Sequence, residues 1–88
     1  MDTKQIENFL DAHEKTKEVI NRGGDISKED RLIAMRNETF EKAALNREWS
    51  EEKVNTEREK FNKEYSIERM KGMRISELLK AFEEYERG

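Results

Sequence analysis

The sequence predicts an all-α protein: a small helical hairpin or three-helix assembly whose long C-terminal helix is kinked near Gly72. Three observations predict it. Ala, Glu, Lys, Leu and Arg make up 45 of the 88 residues, which is the composition of long helices and coiled coils. The few apolar residues recur at spacings of three and four, and no run alternates in the manner of a strand or is joined to another by an Asn-Gly or Asp-Gly turn. Leu, Ile, Val and Phe number only 17, but 18 basic residues nearly cancel 21 acidic ones to leave a net charge of −3. Disorder of the charged kind needs an uncompensated charge, so the chain falls on the helical side of that border.

The first helix is expected over 3–22. Ile6, Phe9, Leu10, His13, Thr16 and Ile20 share one face of it. Asp2 or Thr3 supplies the cap oxygen for the amides of its first turn. Gly23, following Arg22, stands where a left-handed C-cap belongs, and Gly23-Gly24-Asp25 forms the turn. A second helix follows over 27–49, with Ser27 as N-cap and Glu29 and Asp30 in its first turn. Leu32, Ile33, Phe40, Ala43 and Ala44 lie on one face; Met35, Leu45 and Trp49 form a second flank.

The third helix is expected over 50–87, opened by Ser50-Glu51-Glu52. Val54, Phe61, Glu68, Ile75 and Phe82 fall seven apart, and Arg58, Tyr65, Gly72 and Leu79 follow the first four of them by four. This is a heptad frame with a weak centre at Glu68 and Gly72. An interior glycine costs ~1 kcal/mol relative to alanine, so Gly72 is the candidate kink, with Ser76 placed to restart the helix. Ile75, Leu78, Leu79, Phe82 and Tyr85 make the closing segment the most amphipathic of the chain.

Length and composition bound the function. Residues 1–88 form a single small domain with a thin core, which a second copy or a partner often completes. The absence of cysteine removes thiol chemistry and zinc-cysteine modules. No apolar run approaches a membrane span and Met1-Asp2-Thr3-Lys4 does not open a secretory signal, so a cytoplasmic protein is expected. No segment is strongly polarised in charge, which favours neither a nucleic-acid binder nor an acidic mimic of one.

Candidate chemistry is sparse. His13, with Asp11, Glu14 and Lys17 near it, could form an acid–base pair, but reads as a histidine at the edge of a small core. Ser27, Ser50 and Ser76 sit in capping contexts. Gly23-Gly24 lacks the lysine of a phosphate loop, and no spacing of acids and histidine suits a metal. Neither catalysis nor a cofactor is expected. Glu38–Lys42 and Glu59–Lys63 are favourable helical pairs worth ~0.2–0.5 kcal/mol each. They belong to a solvated surface.

Two features stand apart as partner-binding candidates. Arg69, Met70, Lys71, Met73 and Arg74 surround Gly72, offering cations and adaptable thioethers. Trp49 lies at the junction of two helical patterns, where it serves either as an interface anchor or as a plug over the end of a bundle. The expected function is a non-catalytic regulator or inhibitor that occludes a surface of another protein, of the kind common in phages and other mobile elements. Its apolar helical face would centre on Trp49 or on Ile75, Leu79 and Phe82, in the helix-in-groove manner. Two alternatives are a nucleic-acid-associated regulator touching phosphates through Arg69, Lys71 and Arg74, and a structural coiled coil that forms a homodimer along 54–82.

Overall fold

The computed structural model describes residues 3–22 and 27–88. They form five helices: α1 (Thr3–Arg22), α2 (Lys28–Arg47), α3 (Glu51–Glu64), α4 (Ile67–Lys71) and α5 (Ile75–Arg87). The fold is all-α, and among the described residues there is no strand. The expected caps at Asp2 and Gly23 and the turn over 23–25 lie outside the described residues; Thr3 is the first helical residue.

Serine starts three of the helices. Ser27, Ser50 and Ser66 each hold an extended backbone, and each Oγ accepts from the amide three residues on, at 3.2 Å from Asp30, 3.2 Å from Lys53 and 3.3 Å from Arg69. Each satisfies an amide that the first turn leaves free. The α2 helix ends at Glu48, which adopts the left-handed conformation (φ 55°, ψ 39°) and sends its amide back to the carbonyls of Ala44 and Leu45. A C-cap of this kind usually falls to glycine.

The stretch over 50–87 is therefore not one kinked helix but three. One break falls at Tyr65, where Ser66 caps a new helix and Nη1 of Arg36 donates to the Tyr65 carbonyl at 2.8 Å. The other spans Gly72 to Arg74. Gly72 keeps a right-handed conformation (φ −83°), and α5 starts at Ile75 with Arg74 in the cap position, not at Ser76. The second break falls at the weak centre of the heptad frame, where Glu68 and Gly72 offer nothing to bury, and the first falls just ahead of it at the occupied position Tyr65. They let α5 fold back so that Phe82 packs on Phe61 at 5.8 Å between ring centroids.

The core lies between α2 and the last three helices. It comprises Leu32, Phe40 and Ala44 from α2, Val54, Phe61 and Tyr65 from α3 and its end, Met70 from α4, and Leu78 and Phe82 from α5. Phe61 is its centre, in ring contact with Phe40, Tyr65, Phe82 and Tyr85. Val54, Phe61 and Phe82, which the coiled-coil alternative would place along a dimer seam, are consumed inside one chain. The short α4 is pinned to the start of α2 by Lys71 and Glu29, 2.7 Å apart. The end of α5 is held by Lys42 with Glu86, and by Arg47, which donates to the Tyr85 carbonyl.

Helix α1 supplies nothing to that core cluster. It packs antiparallel on α2 through Gln5, Ala12 and Thr16. Nε2 of Gln5 donates to Oε2 of Glu41 at 2.7 Å, and Thr16 Oγ1 lies 2.9 Å from the Ala12 carbonyl and 3.0 Å from that of Ala34. Glu41 is also paired with Arg58, so one buried carboxylate ties α1, α2 and α3 together.

Candidate interaction surface

The way α1 is turned defines the most unusual surface of the molecule. Its apolar row is turned to the flank of the α1–α2 contact: Ile6 is 39% exposed, Leu10 51% and Ile20 67%, whereas Gln5 and Thr16 are buried. Small residues explain the choice. Thr16, one turn from Ala12, meets Ala34 across the helix pair, and this approach lets its hydroxyl reach a carbonyl of the neighbouring helix. Leucine or isoleucine in that seam would hold the backbones apart. The larger apolar side chains are left on the flank.

His13 marks the border of this row. It is half-buried, stacks on Phe9 at 5.9 Å, and its Nδ1–H donates to Oε1 of Glu38 at 2.6 Å. Glu38 and Lys42 are one turn apart on α2, and Lys42 in turn meets Glu86 of α5 at 3.7 Å. Ile75 and Leu79 share a helical face with Glu86, and they are 49% and 48% exposed. Three rows thus lie side by side: Ile6–His13–Ile20 on α1, Glu38–Lys42 on α2, and Ile75–Leu79–Glu86 on α5. Two apolar ridges flank a strip of opposite charges.

The partner-binding residues expected from sequence divide on this evidence. Ile75 and Leu79 are on the surface as expected. Met70 and Phe82 are corrected: both are buried in the core and cannot anchor a partner. Met73 is partly buried against the same cluster. Among the cations, Arg69 donates to the Glu64 carbonyl at 2.7 Å and covers the Tyr65 ring, and Lys71 is held by Glu29. Arg74 stands exposed at the head of α5. Trp49 is half-buried against Phe40, with Arg47 and Lys53 over its ring. Periodicity identifies the α1 row as one helical face without saying which way it turns. The signal that it faces out is the small-residue seam of Ala12 and Thr16 on the adjoining face.

A cleft of about 820 Å³ opens on the other side of α1, between α1, α2 and α3. Five of the chain's seven carboxamides line it: Gln5, Asn8, Asn37, Asn55 and Asn62. Its charges are matched across or along its walls, as in Lys4 with Glu51, Lys15 with Asp11 and Arg22 with Glu18. No hydroxyl there is paired with a base, and among the described residues no group of three or more acids and histidines converges as a metal site. No described helix is long and apolar enough to cross a membrane. Comparison with protein-family models, with curated proteins and with solved structures finds no match for this chain.

Proposed function

We propose that this chain is a non-catalytic protein-binding regulator that acts by occlusion, and that its binding face is formed by α1, α2 and α5. One observation carries this reading: α1 spends its small and polar side on α2 and presents Ile6, Leu10 and Ile20 to the outside. A solitary exposed apolar side chain is ordinary on a protein surface; an aligned row continued by Ile75 and Leu79 is the pattern of a contact site. Anchors at i, i+4 and i+7 suit a helical or grooved protein surface. The Glu38–Lys42 strip between the ridges sets the partner's register more than its affinity.

The test is affinity capture with substituted baits. Ile6→Glu/Leu10→Glu and Leu79→Glu should lose the partner, while Lys60→Glu on the exposed side of α3 should retain it. All four positions are exposed, so the helical circular dichroism of each variant should match that of the parent. Equal recovery of the same bound protein on every bait would refute the assignment of this face.

A further inference from the structure

We infer that the occupant of the α1 row is a second copy of this chain, laid antiparallel to the first about His13. The inference rests on the protein-binding reading above and names its partner. A two-fold interface requires that where residue i meets j, j meets i. Ile6, His13 and Ile20 are seven apart, so reversal of the helix about His13 carries Ile6 onto Ile20 and His13 onto itself. Each Ile6 then meets an Ile20 of the other copy.

The charges obey the same operation. Lys17 lies within the row between Ile6 and Leu10 on the helical wheel, and Glu7 lies beyond Thr3 and Glu14 on the side away from α2. Reversal about His13 brings Lys17 of one copy to within two residues of Glu7 of the other, about 3 Å along the axis, and the contact occurs twice. The aliphatic stem of each Lys17 covers Leu10 of the other copy.

The size of the contact sets its strength. Two 20-residue helices meet over about 30 Å, which places the interface among the small ones, below about 1,200 Å², typical of weak association. The dimer should dissociate in the micromolar range, so that it is populated at about 100 µM and lost on dilution.

The chain has no cysteine, so introduced cysteines report the geometry directly. Packed helix axes 8–10 Å apart put the two residues at position 13 within the Cα separation a disulfide needs. Under mild oxidation His13→Cys should give a covalent dimer, and so should the Ile6→Cys/Ile20→Cys double variant. Ile6→Cys alone should cross-link far less, and Lys60→Cys should stay monomeric. In sedimentation equilibrium the parent chain should dimerise, with Ile6→Glu raising the dissociation constant at least tenfold at unchanged helicity. A parent chain that is monomeric at about 100 µM, or a His13→Cys variant that cross-links no more than Lys60→Cys, overturns the dimer. If the face variants nevertheless abolish capture of another protein, the binding face stands and only its partner was misassigned. If they leave capture unchanged as well, both fall.

Discussion

The hydroxyl of Thr16 on α1 lies 3.0 Å from the carbonyl oxygen of Ala34 on α2, a side-chain bond between helices to a backbone group that already serves its own helix. It forms only because Ala12, Thr16 and Ala34 let the two backbones approach closely, and it fixes which side of α1 faces in. Thr16→Val keeps the shape and removes the donor. The Ala34 carbonyl retains its intrahelical partner, so the loss should be near the ordinary value of about 1 kcal/mol. Thr16→Leu should cost more, about 2 kcal/mol, because extra volume in a tight seam displaces α1. Urea denaturation midpoints of the two variants check the order; a Leu variant as stable as the Val variant would show that the seam is loose.

Glu48 ends α2 at a backbone φ of 55° without being glycine. A side chain in the left-handed region is strained by about 1 kcal/mol, and here its amide must reach the carbonyls of Ala44 and Leu45. Glu48→Gly should therefore stabilise the fold by up to about 1 kcal/mol, whereas glycine at an ordinary helical position destabilises by a similar amount. A rise of a few degrees in the midpoint of thermal unfolding is the expected result, and a fall would mean that the glutamate side chain makes a contribution beyond its backbone.

The helices were legible in the sequence wherever local chemistry decides them. Ser27 and Ser50 cap helices because serine followed by acidic residues leaves the backbone little better choice, and the amphipathic rows identified the segments as helical. What the rows could not convey is which face is buried. For α1 the competition lay between a large apolar row and a small-residue seam, and it was settled by a tertiary contact with Ala34, 18 residues away. The break at Tyr65–Ser66 was hidden because the heptad frame runs through it. The Ser66 cap is as local as those of Ser27 and Ser50, but the Arg36 bond that holds the break acts only once α2 and α3 have met. Met70 reads as an anchor by its adaptable thioether beside cations and Phe82 by its place on the most amphipathic segment; two breaks turn both into the core. Ile75 and Leu79 remain outside for the same geometric reason.

The break before α5 is a site for opposite tests of glycine and cap chemistry. Gly72 has a right-handed backbone, and a Cβ there would lie 3.5 Å from the Arg69 carbonyl and 3.8 Å from that of Glu68, ordinary van der Waals separations. Gly72→Ala should therefore stabilise the protein by about 0.4–1 kcal/mol through the unfolded chain. Arg74 has the extended backbone of an N-cap but makes no side-chain cap bond. Arg74→Asp should add that bond and a favourable charge at the head of α5, for about 1 kcal/mol. The two effects should be close to additive only if the break is maintained by packing of Met70 and Leu78 and not by either residue. A double variant less stable than both single variants would contradict this.

Tyr85 makes the fold sensitive to alkali. It is half-buried, stacked on Phe61 at 4.2 Å with the Arg47 guanidinium over its other surroundings at 4.9 Å from the ring centroid. Burial pushes its phenol above the usual value of 10.0, against the opposing pull of Arg47, with Glu57 adding to the rise. The folded chain thus holds this proton more tightly than the unfolded chain. Its contribution to stability is complete below the unfolded value near pH 10 and is lost as pH rises through the higher folded value. Lys71 is shifted in the same direction by its bond to Glu29, so part of the alkaline loss belongs to that pair. Comparison with Tyr85→Phe separates them, since the Lys71 contribution is common to both chains. Denaturation free energies measured from about pH 9 to 12 should fall more steeply for the parent than for Tyr85→Phe. Parallel curves would remove Tyr85 from the account.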